Sequence, residues 1–107
     1  MTQGLFIRAD ASASMGTGHV MRMLALAEAW REAGGAVTFG GAIPPALVTR
    51  LERSGASVVA SPAGGDDAQF TVAAAKAAGA SIVVADGYHF PLEYQRRVRA
   101  LGARLLV

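Results

Sequence analysis

Short apolar runs alternate with amphipathic stretches from one end of this chain to the other. Gly4 to Ala9 (GLFIRA) is the first run, rich in strand formers and closed by Asp10. Val20 to Ala33 then follows helical spacing, with Met23, Leu24, Leu26, Ala27 and Trp30 forming an apolar stripe and Gly34-Gly35 supplying the stop. Ala36 to Gly40 is the second run. A proline pair, Pro44-Pro45, opens the next helix, which runs to about Ser54. Ser57 to Ala60 is the third run. Asp66 or Asp67 is placed to cap a helix through Ala78. Ile82 to Ala85 makes a fourth, buried strand ending at Asp86. Pro91 opens a helix to about Gly102, and Ala103 to Val107 is the fifth run.

The order β-α-β-α-β-α-β-α-β with short connections predicts a Rossmann-like α/β fold. It implies a doubly wound parallel sheet of about five strands with helices on both faces. Ligands in such sheets bind beyond the carboxyl ends of the strands, at the point where the strand order reverses. In a doubly wound order the first and fourth strands are neighbours across that point. Asp10 to His19 follows one of them and Asp86 to Phe90 the other, so two polar segments are expected to face one crevice. The chain ends on an apolar run with no closing helix, which suggests a piece of a longer protein.

Composition narrows the function classes. Nine arginines and Lys76 against eight acids leave a net charge of +2, too little and too scattered for a nucleic-acid footprint. Arg96, Arg97 and Arg99 cluster locally, and a solvated helix face accounts for them. The absence of cysteine excludes disulfides, zinc-thiolate sites and thiol catalysis, and fits a cytoplasmic location. No signal-like start precedes the first strand, and no apolar run approaches the ~18 residues of a membrane span. The mean hydropathy of +0.35 therefore reads as buried sheet plus alanine-rich helices.

Two constellations carry chemistry. The first is Gly16-Thr17-Gly18-His19 entering a helix. Glycines let the backbone approach a ligand, and a helix N-terminus favours anions. The third glycine of a dinucleotide fingerprint is missing, since Met21 stands there, and no P-loop Gly-Lys-Ser/Thr follows. His19 at the helix start can accept a proton from water, because the helix dipole disfavours the imidazolium. It also fits a structural role capping the loop. Arg22, one turn on, can hold a phosphate or an acetamido group, but pairing with Asp10 or Asp86 at the crevice floor is favoured. Asp10 either reaches a ligand or braces the next loop. Ser12 and Ser14 read as turn residues. The second constellation is Asp86-Gly87-Tyr88-His89-Phe90, whose acid, phenol and rings suit a sugar, or else form a turn before Pro91. Tyr88 is its preferred site residue. Two histidines are a weak metal signal, and no metal site is assigned.

The run Ile7-Arg8-Ala9-Asp10-Ala11-Ser12, then Gly16-Thr17-Gly18-His19-Val20-Met21-Arg22, then Val84-Ala85-Asp86-Gly87-Tyr88 and a helix with Tyr94, resembles one family. This is the UDP-2,4-diacetamido-2,4,6-trideoxy-β-L-altropyranose hydrolase family of pseudaminic acid biosynthesis. Its broader relatives include the two-domain GT-B glycosyltransferases. The resemblance spans the chain, which corresponds to the N-terminal half of a typical member. It implies cleavage of UDP at the sugar C1 with inversion. His19 would activate water, Tyr88 would line the sugar pocket, and Gly16 and Gly18 would let the loop approach. Asp10, Thr17, Arg22 and Asp86 complete the expected substrate-binding set. No cofactor is implied. The family binds the uridine diphosphate through a C-terminal domain absent from residues 1–107, so this chain alone is expected to have little or no hydrolase activity and to be open to self-association.

Two other functions fit the same residues. One is the acceptor-side domain of a GT-B glycosyltransferase, in which a sugar hydroxyl rather than water attacks. The other is a non-catalytic sugar-binding domain of surface polysaccharide synthesis, which would tolerate His19→Ala. A phospho-acceptor regulator needs an aspartate after the third strand. That strand runs SVVASPAG, which excludes it.

Overall fold

A computed structural model describes residues 3–10, 18–62, 64–86 and 92–106, with the backbone alone at 18–21 and 86. The strands are β1 (Gly4–Ala9), β2 (Ala36–Gly41), β3 (Ser57–Ala60), β4 (Ala80–Asp86) and β5 (Arg104–Leu106). The helices between them are α1 (Gly18–Glu32), α2 (Pro45–Arg53), α3 (Asp67–Ala77) and α4 (Leu92–Arg99). All strand pairs are parallel, in the order β3-β2-β1-β4-β5. The alternation in the sequence therefore gives the expected doubly wound sheet, with β1 and β4 adjacent where the order reverses.

Strand alternation divides the core in two. Leu5, Ile7 and Ala9 of β1 join Val37 and Phe39 of β2, Leu24 and Ala27 of α1, and Leu51 of α2. Phe6 of β1 joins Val83 and Ala85 of β4, Ala68 and Ala75 of α3, and Tyr94 and Val98 of α4. All six residues of β1 are buried, as a central strand covered on both faces requires. The apolar stripe expected on α1 holds for Leu24 and Ala27, with Met23 and Trp30 packed beside them. Leu26 is 38% exposed instead. It stands two positions beyond Leu24, about 200° round the helix, and so points away from the sheet.

Local signals set the helix ends. Pro44 is the N-cap of α2 and Pro45 its first residue. Asp66, not Asp67, caps α3, its side chain accepting from the Gln69 N–H at 3.2 Å. Among the described residues, no helix is long and apolar enough to cross a membrane.

Candidate functional site

The carboxyl edge of the sheet is where the segments that carry the two motifs begin. Ala9, the last residue of β1, stands in register with Asp86, the last residue of β4. The segments that carry Gly-Thr-Gly-His and Asp-Gly-Tyr therefore depart from adjacent points on one edge. Gly18 and His19 lie in the first turn of α1. Gly16, Thr17 and Tyr88, with Ser12, Ser14 and His89, lie outside the described residues. Arg22 is an exposed residue of α1.

Asp10 is described with its side chain, and it braces the next loop. Its Oδ1 accepts from the Ala42 N–H at 2.8 Å, just past β2, and from Arg8 Nη1 at 2.6 Å. Arg8, from the strand that Asp10 follows, is thus a cation on Asp10. Asp10 directly follows β1, and a two-residue step along extended chain carries both side chains to the same face.

Arg8 is the residue that sequence reasoning missed. It is only 6% exposed, on the α3 side of the central strand. Its Nε and Nη2 reach the Asp67 carboxylate at 3.1 and 2.5 Å, and Nη1 also reaches the Gly40 carbonyl at 3.4 Å. The guanidinium lies 5.8 Å from the centroid of the Phe70 ring, within cation–π range. Burial works to lower the Arg8 pKa, but the hydrogen bonds to Asp67 and Asp10 and their charges outweigh it and hold the value above ordinary. The available signal is a lone arginine inside an apolar strand run, with an aspartate two residues later.

Above this ion cluster lies a cleft of roughly 210 Å³. Its walls include Arg8, Asp10, Ser61, Gly64, Asp67 and Phe70. Gly41 closes the approach of β2 to β1, because a Cβ there would fall 1.9 Å from the Ala9 carbonyl oxygen. On the far side of the cluster, the fully buried Thr71 hydroxyl hydrogen-bonds the Tyr94 hydroxyl at 2.7 Å and links α3 to α4. Burial pushes the Tyr94 phenol up to about 12, against the opposing hydrogen bond with Thr71. At the surface, Arg97 reaches Asp66 at 2.6 Å; this hydrogen bond, with that from the Gln69 N–H, holds the Asp66 carboxyl below its ordinary value.

No protein-family model matches the chain, and no curated protein matches it. Solved structures do share its fold. A glycosyltransferase from Rickettsia africae ESF-5 superposes with a TM-score of 0.71 at 14% identity, over 97% of this chain and 28% of that one. A protein of the universal stress protein family from Burkholderia pseudomallei superposes with a TM-score of 0.57 at 18% identity, over 97% of this chain and 93% of that one. The chain thus spans under a third of the glycosyltransferase it matches. At these identities the likenesses establish the architecture, which is that of a Rossmann-like α/β sheet and fits one half of a GT-B-like fold.

Proposed function

We propose that this chain is the N-terminal, sugar-side half of a nucleotide-sugar hydrolase. Its substrate is a UDP-linked diacetamido trideoxy sugar. A water oxygen bonds to the sugar C1 as the C1–O bond to UDP breaks from the opposite face. His19 takes the water's proton, and UDP leaves with the bonding pair. Tyr88 and Asp86 contact the sugar, while Gly16, Thr17 and Gly18 bring backbone close to it. Arg22 stands one turn on from His19, able to meet an acetamido or phosphate oxygen.

The observation that carries this reading is the pairing of Ala9 with Asp86. It brings the departure points of both motif segments to the switch point of a parallel sheet, where such folds bind ligands. The motif resemblance supplies the chemistry.

The test is UDP release from the UDP-linked diacetamido trideoxy sugar by the complete gene product. His19→Ala should lower kcat by about 10²- to 10⁴-fold, the usual contribution of a positioned general base. Tyr88→Phe should act mainly on KM. Turnover unchanged by His19→Ala would remove His19 as the base.

The glycosyltransferase likeness favours a second reading, the acceptor-side domain of a GT-B transferase. UDP release that begins only when a sugar acceptor is added would establish it in place of the hydrolase. Sugar binding without turnover, indifferent to His19→Ala, would instead indicate a binding domain.

A further inference from the structure

The chemistry proposed for the crevice leaves Arg8 without a role, although Arg8 bonds Asp10, Asp67 and the Gly40 carbonyl at this edge of the sheet. Stability alone does not account for it. A buried ion pair is often no more stabilising than a hydrophobic residue of similar volume. The partners Asp10 and Asp67 keep 41% of their side chains exposed, so water would solvate them if the guanidinium were removed. A methionine would fill the same space beside Phe70 without stranding a buried charge.

What an aliphatic residue cannot do is fix directions. The guanidinium is a planar fork with donors at set angles. Here one edge takes Asp67 through Nε and Nη2, and Nη1 takes Asp10. Asp10 passes the constraint to β2 through the Ala42 N–H, bonded to the same Oδ1. Asp67 opens α3, and Thr71 stands four residues later on the same side of that helix. The buried Thr71 hydroxyl then bonds Tyr94 of α4. These bonds, with one turn of α3 between Asp67 and Thr71, therefore join the end of β1, the end of β2, α3 and α4. Segment 11–17 departs from β1, and segment 87–91 leads into α4.

We propose that Arg8 is the positioning residue of the crevice: its guanidinium sets the spacing of β1, from which the His19 segment departs, and α4, into which the Tyr88 segment leads. What the crevice does rests on the nucleotide-sugar reading; what Arg8 holds does not.

The test uses Arg8→Met and Arg8→Lys with two readouts. In the complete gene product, Arg8→Met should leave the thermal midpoint within about 5 °C of wild type. It should lower kcat for UDP release by about 100-fold, the cost of misplacing reacting groups by roughly 1 Å, with little change in KM. Arg8→Lys should restore part of kcat. Activity lost only in proportion to folded protein would make Arg8 merely structural and overturn the proposal.

The second readout needs no turnover. In amide NMR spectra of the 107-residue chain, Arg8→Met should shift signals at Gly18 and Leu92, beyond the bonded partners of Arg8. Shifts confined to Asp10, Gly40, Ala42, Asp67 and Phe70 would overturn the positioning role, whatever the activity. If the remote shifts appear and no UDP is released from any UDP-sugar, the nucleotide-sugar reading falls and the positioning role stands. Should Arg8→Met fail to fold, Asp67→Asn keeps Arg8 in place, breaks the same series of bonds, and is judged by the same shifts.

Discussion

Two hydroxyls in the core show how much a single residue carries here. Tyr94 is 6% exposed, and its phenol is pushed up to about 12 from an ordinary value of 10.0. The folded state therefore keeps the proton that the unfolded chain gives up. That stability is complete below about pH 10 and is lost as pH rises toward 12, amounting to about 3 kcal/mol. Tyr94→Phe has no proton to lose. It should be less stable at neutral pH by about 1–2 kcal/mol, because the buried Thr71 hydroxyl loses its partner. It should also be flatter than wild type across the alkaline window. Denaturant unfolding of both proteins from about pH 9 to 12 reads the difference; parallel curves would show that Tyr94 does not titrate late. Such residues are hard to read from sequence, and Arg8 shows why. Asp10 is two positions away and visible, but Asp67 is 59 positions away and meets Arg8 only once α3 has packed on the sheet. In a run such as GLFIRA the arginine reads as a strand residue with an unknown partner. His19 and Tyr88 stand out for the opposite reason, since residue type and local spacing suffice to single them out.

The elements themselves are far more legible. β1 and β3 fall on the residues that their apolar runs delimit, and the remaining elements differ by one to three residues at their ends. Glycine, proline and aspartate punctuate every run, and each acts locally: Pro45 begins α2, Asp66 caps α3, and Gly34 ends α1 with φ +94°. What spacing does not reveal is how closely two elements approach. Gly41 is the clearest instance. A Cβ there would meet the Ala9 carbonyl oxygen at 1.9 Å, and Arg8 Nη1 and Asp10 Oδ1 at 2.7 and 2.8 Å. At Gly64, with φ +79°, a Cβ would meet nothing within 4 Å. Gly41→Ala must push β2 from β1 and disturb the ion cluster, whereas Gly64→Ala strains only its own backbone. The first should cost about 3 kcal/mol or more and the second about 1 kcal/mol. Equal losses in denaturant unfolding would mean that β2 adjusts freely, and that the ion cluster does not fix its end.

At the scale of the whole molecule, 107 residues fold to a radius of gyration of 12.7 Å, close to the ~13 Å expected of a compact domain this long. The chain carries a net charge of +2, yet the described part of its strand-end cleft has the opposite sign. Asp10, Asp66 and Asp67 line it, against Arg8 as the cation among the lining residues, and Arg8 is already bound to two of those carboxylates. Among the described lining residues, a diphosphate placed there would meet carboxylates and no uncommitted guanidinium. Sugar hydroxyls, which donate to carboxylates, suit the same surface. The nucleotide-sugar reading thus assigns the sugar to this cleft and the diphosphate outside it. The isolated 107-residue chain should therefore unfold cooperatively, bind UDP with a Kd weaker than about 1 mM, and release no UDP from the UDP-linked sugar. Calorimetric titration with UDP and a turnover assay on the same sample decide it. Tight UDP binding would place a diphosphate site within these residues, and turnover would mean that they hold every group the reaction needs.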